Sequence, residues 1–188
     1  MHKELRLGVD FGRVINDGSS HPGGDDTVFL SGSVEDAMST PAMAGAFDTL
    51  ARLTEVFGGK VWIVSKAGER IQERTMQWLD HNGFWSATGI LRANARFCRK
   101  RPEKAEHCKR LGITHFVDDR ADVLSHMRGI VPNLYLFGAR KAEPPEWATP
   151  TLTWADVETA VTEGIAAEPP RRATRRSRRA GTRGLPRA

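Results

Sequence analysis

Long hydrophobic runs are missing from this sequence. The longest, Val61–Val64 and Asn133–Phe137, fall far short of the roughly 20 residues a membrane helix needs. The opening Met1-His2-Lys3-Glu4 leads straight into a strand-like segment, with neither the apolar core nor the small-residue cleavage site of a secretion signal. These absences predict a cytoplasmic protein without a membrane partner. Cysteine is scarce. Cys98 and Cys108 are too few for a disulfide framework, and no CxxC pair points to zinc. Both read as core thiols. The six histidines are scattered without an HxxxH or HxH pair, which argues against a histidine metal site. No internal repeat is visible.

What is present suits one soluble α/β domain. A chain of 188 residues, 39% hydrophobic and 27% charged, suffices for one ordinary domain and is short for two. The net charge of +5 is unevenly spread. From Ala166 onward lie eight of the 28 basic residues and one of the 23 acidic ones, Glu168, so the remainder carries 20 basic against 22 acidic groups. The basicity therefore belongs to residues 166–188, which are Arg-, Ala- and Pro-rich and have almost nothing to bury. They are expected to be a disordered tail behind a folded domain of residues 1–165. Arginine clusters neutralise nucleic-acid phosphates, so contact with nucleic acid is one reading of the tail. An extension that aids solubility is the other.

Five short segments read as strands: Leu5–Asp10, Lys60–Ser65, Ala95–Cys98, His115–Asp118 and Leu134–Phe137. The first, second and fourth are mostly apolar, as strands buried on both faces of a parallel sheet are. Helical patterns lie between them. Met43, Phe47, Leu50, Leu53 and Phe57 recur at helical spacing before Gly58-Gly59, and Ile71, Thr75, Trp78 and Leu79 before Asn82-Gly83. Pro102 suits the first turn of a helix through Ala105, Cys108 and Leu111. Val123–Met127 and Trp154–Ile165 supply two more. The alternation predicts a doubly wound, Rossmann-like parallel sheet of five strands. Residues 16–40 break the rhythm and read as a long polar loop, a feature that is usually functional or mobile.

The informative polar residues sit at strand ends. Asp10 closes the first strand, Ser65 the second, and Asp118-Asp119 the fourth. In an open parallel sheet, ligands bind beyond the carboxyl ends of the strands, where these residues would meet. Carboxylates gathered there need a cation, and oxygen-only ligands suit Mg²⁺ rather than zinc.

This constellation resembles the haloacid dehalogenase-like (HAD-like) superfamily over roughly residues 4–138. Asp10 matches its strand-terminal nucleophile and Ser65 its second motif. Lys104 matches its helix-borne lysine, with Lys100 the second choice, and Asp118-Asp119 match its paired acids. The resemblance implies a Mg²⁺-dependent phosphohydrolase working through an aspartyl-phosphate on Asp10. Asp10, the Gly12 carbonyl and Asp118 or Asp119 would hold the metal, with Asp122 a further candidate. Ser65 and Lys104 would hold the phosphoryl oxygens. The substrate would be a small phosphate ester or a nucleotide, the nucleotide or nucleic-acid class being favoured by a likeness of Pro41–Lys66 to small nucleotidases.

The sequence departs from the family at Gly12, where its phosphatases carry an Asp that acts as general acid and base. Three consequences stand open. Activity is low; or Asp17, His21, Asp25 or Asp26 substitutes; or the module binds phosphate or nucleic acid without turning it over. Dehalogenation ranks low because it needs no acidic pair. The spacing between strands leaves room for little or no cap domain. Each motif also has a plainer reading. Asp10, Ser65 and Asp118-Asp119 can cap helices, and a lysine on a charged helix face is usually just solvated. An actin-like or RNase H-like phosphate hairpin at Gly8–Gly12 fits poorly, since Ser19–Asp26 makes a poor return strand. Trp62, Trp78 and Trp154 read as packing.

Overall fold

Strand residues alternate between two cores. Leu7, Val9, Val61, Ile63, Val117, Tyr135 and Phe137 face one, while Trp62, Val64, Phe116, Leu134 and Leu136 face the other. That period of two, with both faces apolar, is what a sheet covered by helices on each side demands. The computed structural model describes residues 4–18, 27–139 and 143–167. Six strands form one sheet: β1 (Leu7–Val9), β2 (Val61–Lys66), β3 (Ala95–Cys98), β4 (His115–Asp118), β5 (Asn133–Phe137) and β6 (Thr149–Thr151). Their order is β3-β2-β1-β4-β5-β6, and every pairing is parallel.

The expected five strands are thus corrected to six. The extra one, β6, is three residues long, half exposed, and contains Pro150. Proline cannot donate to a ladder and is tolerated here because β6 is an edge. Nothing apolar marks this segment in the sequence.

Among the described residues, eight α-helices accompany the sheet: α1 (Thr27–Ser31), α2 (Val34–Met38), α3 (Ala46–Val56), α4 (Glu69–His81), α5 (Phe84–Thr88), α6 (Glu103–Leu111), α7 (Ala121–Ser125) and α8 (Trp154–Ala167). Helices α3, α4, α5 and α8 pack Leu50, Leu53, Trp78, Leu79, Phe84, Trp154 and Val157 into the first core. Helices α6 and α7 pack Ala105, Cys108, Val123 and Leu124 into the second. Cys98 and Cys108 are free and buried. Trp78 and Trp154 are buried too, but each also ties down a loop. Trp78 Nε1 donates to the Thr40 carbonyl and Trp154 Nε1 to the Val14 carbonyl, both at 2.8 Å.

The long polar loop expected over residues 16–40 is only partly that. It carries α1 and α2, and α2 opens on a reciprocal cap in which Ser33 and Asp36 each bond the other's backbone N–H. Two turns this short have too few apolar positions to show a period. Helix α8 runs two residues past the expected domain end at 165. Residues 19–26, and the arginine tail from residue 168, lie outside the described residues.

Candidate functional site

The chain leaves β1 for β2 on one side and returns to β4 on the other, so the switch in strand order falls between β1 and β4. A crevice opens at such a point, beyond the carboxyl ends of the strands. The Asp10 N–H donates to the Val117 carbonyl at 2.9 Å, which sets the ends of β1 and β4 side by side. A cavity of about 160 Å³ lies there, with Asp10, Gly12, Ser65, Lys104 and Asp119 among its lining residues.

Its floor is a charge cluster. Carboxylate oxygens of Asp10, Asp118 and Asp119 all fall within 4.8 Å of one another. Lys104 is buried between two of them, its Nζ 2.8 Å from Asp10 Oδ1 and 2.8 Å from Asp118 Oδ2. Asp10 Oδ1 is sealed from water, with the Lys104 ammonium as its charged partner. Lys104 reaches the cluster because it sits on the first turn of α6, at the edge facing the strand ends. Asp118 Oδ1 also accepts the Arg120 N–H at 3.0 Å, shaping the turn into α7. The N-cap of α7 is Arg120, which makes no side-chain capping bond, so Asp118 closes the turn before the helix rather than capping it.

Burial sets the electrostatics. Asp118 is pushed up to about 8, first by burial and then by the charge of Asp10, with Lys104 opposing. Asp119 rises to about 6 for the same two reasons, with Arg13 opposing. Burial alone would lower Lys104, but the Asp10 and Asp118 carboxylates override it and hold the ammonium above the ordinary lysine range. When all three are ionised, three carboxylates face two cations, Lys104 and Arg13. The surplus is negative and every donor is a hard oxygen. That set fits Mg²⁺, with Asp10, Asp118 and Asp119 as the residues that would hold it.

The segment after β1 coils tightly. Val14, Ile15 and Asn16 all direct their N–H groups at the Phe11 carbonyl. Arg13 takes a left-handed conformation, φ 58°, the one non-glycine residue with positive φ among those described. Such backbone is strained for a side chain of this size. It points the guanidinium at Asp119, Nε to Oδ2 at 3.1 Å. Nothing in the residue pattern marks this pairing beyond an arginine next to Gly12. Asn16 Nδ2 is sealed with no hydrogen-bond partner.

Helix α1 supplies a wall that the polar-loop reading missed. Phe29 packs on Phe11 with ring centroids 5.4 Å apart, and buried Arg74 donates to the Phe29 carbonyl at 2.7 Å. Phe29 and Leu30 line the cavity. Helix α2 packs on α1 and α4, and none of its residues lines the cavity. Other candidates stay out of the cluster. Lys100 is exposed. Asp122 turns outward into a paired contact with Arg120. Asp17 is not among the cavity's lining residues. His21, Asp25 and Asp26 lie outside the described residues.

No family model matches the sequence, and no curated protein does. Solved structures do match. A haloacid dehalogenase-like hydrolase from Burkholderia xenovorans LB400 superposes with TM-score 0.57 at 14% identity, over 86% of this chain and 98% of that one. This chain has a HAD-like fold. A HAD-like family hydrolase from Xanthomonas campestris gives TM-score 0.52 at 13% identity, over 87% and 97% of the two chains. At these identities the likeness is one of fold. The HAD-like frame is what brings Asp10, Ser65, Lys104 and Asp118-Asp119 to one end of the sheet. Among the described residues, no helix is long and apolar enough to cross a membrane.

Proposed function

We propose that this protein is a Mg²⁺-dependent phosphohydrolase whose nucleophile is Asp10, acting on a phosphate carried by a nucleotide or nucleic acid. The observation that carries the reading is the buried cluster: three carboxylates at the switch point with Lys104 locked between Asp10 and Asp118. A simple helix cap needs no second and third carboxylate, and no buried lysine.

When bound, Mg²⁺ supplies charge neutralisation that lets a phosphoryl dianion approach the carboxylates. An Asp10 carboxylate oxygen bonds to phosphorus as the P–O bond to the leaving group breaks, the leaving oxygen taking the electron pair; water then adds to the phosphorus of the aspartyl-phosphate, the carboxylate is released, and the water's protons end on inorganic phosphate and solvent. Lys104 stays protonated throughout and fixes the orientation of Asp10. Ser65, at the end of β2 and on the cavity wall, donates its hydroxyl to a phosphoryl oxygen. Catalysis of this kind is mostly positioning and electrostatics.

A second reading has its own observation. A side chain at Gly12 would point into open space, with nothing within 4 Å of a Cβ, and glycine leaves that space without an acid. This favours a module that binds phosphate or nucleic acid without turnover. Phosphate release from an aryl phosphate and a panel of nucleotides and phosphorylated oligonucleotides, with Mg²⁺ or chelator, separates the two. Release that needs both Mg²⁺ and Asp10, lost in Asp10→Asn, supports hydrolysis. Folded protein that binds Mg²⁺ and releases nothing supports the module.

A further inference from the structure

Among the described residues, the carboxylates lining the cavity are Asp10 and Asp119. Asp10 is the proposed nucleophile, and Asp119 is charge-paired with Arg13. No other side-chain acid among the described residues lines the cavity, and the space beside Gly12 is open. The rim, by contrast, is basic: Arg13, Lys66, Arg101 and Arg120 all line the cavity. Arg120 is engaged by Asp122 through two nitrogens, and Arg13 meets Asp119 through Nε. Lys66 and Arg101 are exposed and make no ion pair among the described residues.

These features suit one kind of leaving group. An alkoxide is a strong base and departs from phosphorus only with a proton supplied. A phosphate released from a phosphoanhydride is already a stable anion, needs no acid, and gains negative charge that nearby cations stabilise. Size agrees. At about 160 Å³ the cavity is smaller than the ~300–1,000 Å³ of ordinary ligand pockets, so it admits a terminal phosphoryl group and leaves the rest at the basic rim.

We propose that the site takes the terminal phosphoryl group of a phosphoanhydride, such as a nucleoside diphosphate or pyrophosphate, in preference to alkyl phosphate monoesters, and that Arg13 holds the departing phosphate. This rests on the phosphohydrolase reading. An Asp10 carboxylate oxygen bonds to the terminal phosphorus as the bridging P–O bond breaks, and the bridging oxygen leaves with the electron pair. Water then adds to the phosphorus of the aspartyl-phosphate, the carboxylate is released, and the water's protons end on inorganic phosphate and solvent. The left-handed backbone at Arg13 is the strained feature that brings a guanidinium into this space.

The test uses the full chain with Mg²⁺ and compares pyrophosphate, a nucleoside diphosphate, aryl phosphates of graded leaving-group acidity and 2-glycerol phosphate. Anhydrides and the most acidic aryl phosphate should be cleaved at least about 100-fold faster than 2-glycerol phosphate, matching the contribution of a positioned acid. Gly12→Asp should narrow the gap by raising the alkyl rate. Arg13→Gln should lower kcat on pyrophosphate about tenfold while sparing the most acidic aryl phosphate, whereas a structural role would slow both alike. Equal wild-type rates on alkyl and anhydride substrates overturn the proposal. So does a wild type inactive on anhydrides beside a Gly12→Asp variant active on alkyl esters, which would leave the phosphate site itself standing. Silence of both proteins on every substrate would instead sink the phosphohydrolase reading, and this inference with it.

Discussion

Lys104 Nζ lies 2.8 Å from Asp10 Oδ1 and 2.8 Å from Asp118 Oδ2, so one buried ammonium joins the ends of β1 and β4 through side chains. Removing a single partner from such a set leaves uncompensated buried charge and costs about 3–5 kcal/mol. Lys104→Met should therefore unfold at markedly lower urea concentration than wild type, and excess Mg²⁺ should recover part of the loss. A variant as stable as wild type would mean that the three groups do not interact as described.

The acidic pair makes stability depend on pH and on metal together. Asp118 near 8 and Asp119 near 6 both stand above the ordinary aspartate value of 3.8. The native protein thus holds protons that the unfolded chain has released. That contribution is full below about pH 4 and is lost as pH rises through about 6 and then 8. Metal-free protein should lose melting temperature across this range. The gain in melting temperature on adding Mg²⁺ should be larger near pH 8 than near pH 5.5. Equal gains at both values would count against carboxylate ligation.

His115 works in the opposite direction. Its ring stacks on Tyr135, meets the edge of Phe57 and is buried, which lowers it from 6.5 to about 4. The unfolded chain takes a proton below 6.5 that the native ring refuses. Stability from this group is full above 6.5 and is lost as pH falls toward about 4, on the order of 3 kcal/mol in all at about 1.4 kcal/mol per unit. The acids are common to both proteins, so the difference between wild type and His115→Phe in urea unfolding isolates the effect. The variant should lack this part of the acid sensitivity. Parallel curves would show that His115 protonates freely in the fold.

Gly8 on β1 lets the strand pass the Phe116 ring. A Cβ there would come within 2.5 Å of Phe116 Cδ2 and 2.7 Å of Cε2. Gly8→Ala should cost about 1–3 kcal/mol by overpacking. Pairing it with Phe116→Leu should restore part of that loss, which thermal unfolding of the single and double variants would measure.

Where the fold was legible, burial had written it into the sequence. Strands β1, β2 and β4 show as apolar runs ending in Asp10, Ser65 and Asp118 because both faces are covered. Polar residues at those ends stand out for the same reason. The resemblance to the family's helix-borne lysine favours Lys104 over Lys100, and the structure buries the first and exposes the second. Strand β6 was invisible, because an edge position lets Thr149-Pro150-Thr151 pair without apolar signature. Helices α1 and α2 carry no local signature because their order depends on contacts from afar, such as Arg74 to the Phe29 carbonyl. The reach of Arg13 to Asp119 depends on a left-handed backbone that residue type does not announce.

The central claim is that Asp10 carries the phosphoryl group. Brief reaction with ³²P-labelled substrate and Mg²⁺, acid quenching and peptide mapping would test it most directly. The account predicts a hydroxylamine-labile label on the peptide containing Asp10, absent with chelator and absent from Asp10→Asn. Turnover without any label on that peptide, or undiminished turnover by Asp10→Asn, would contradict it.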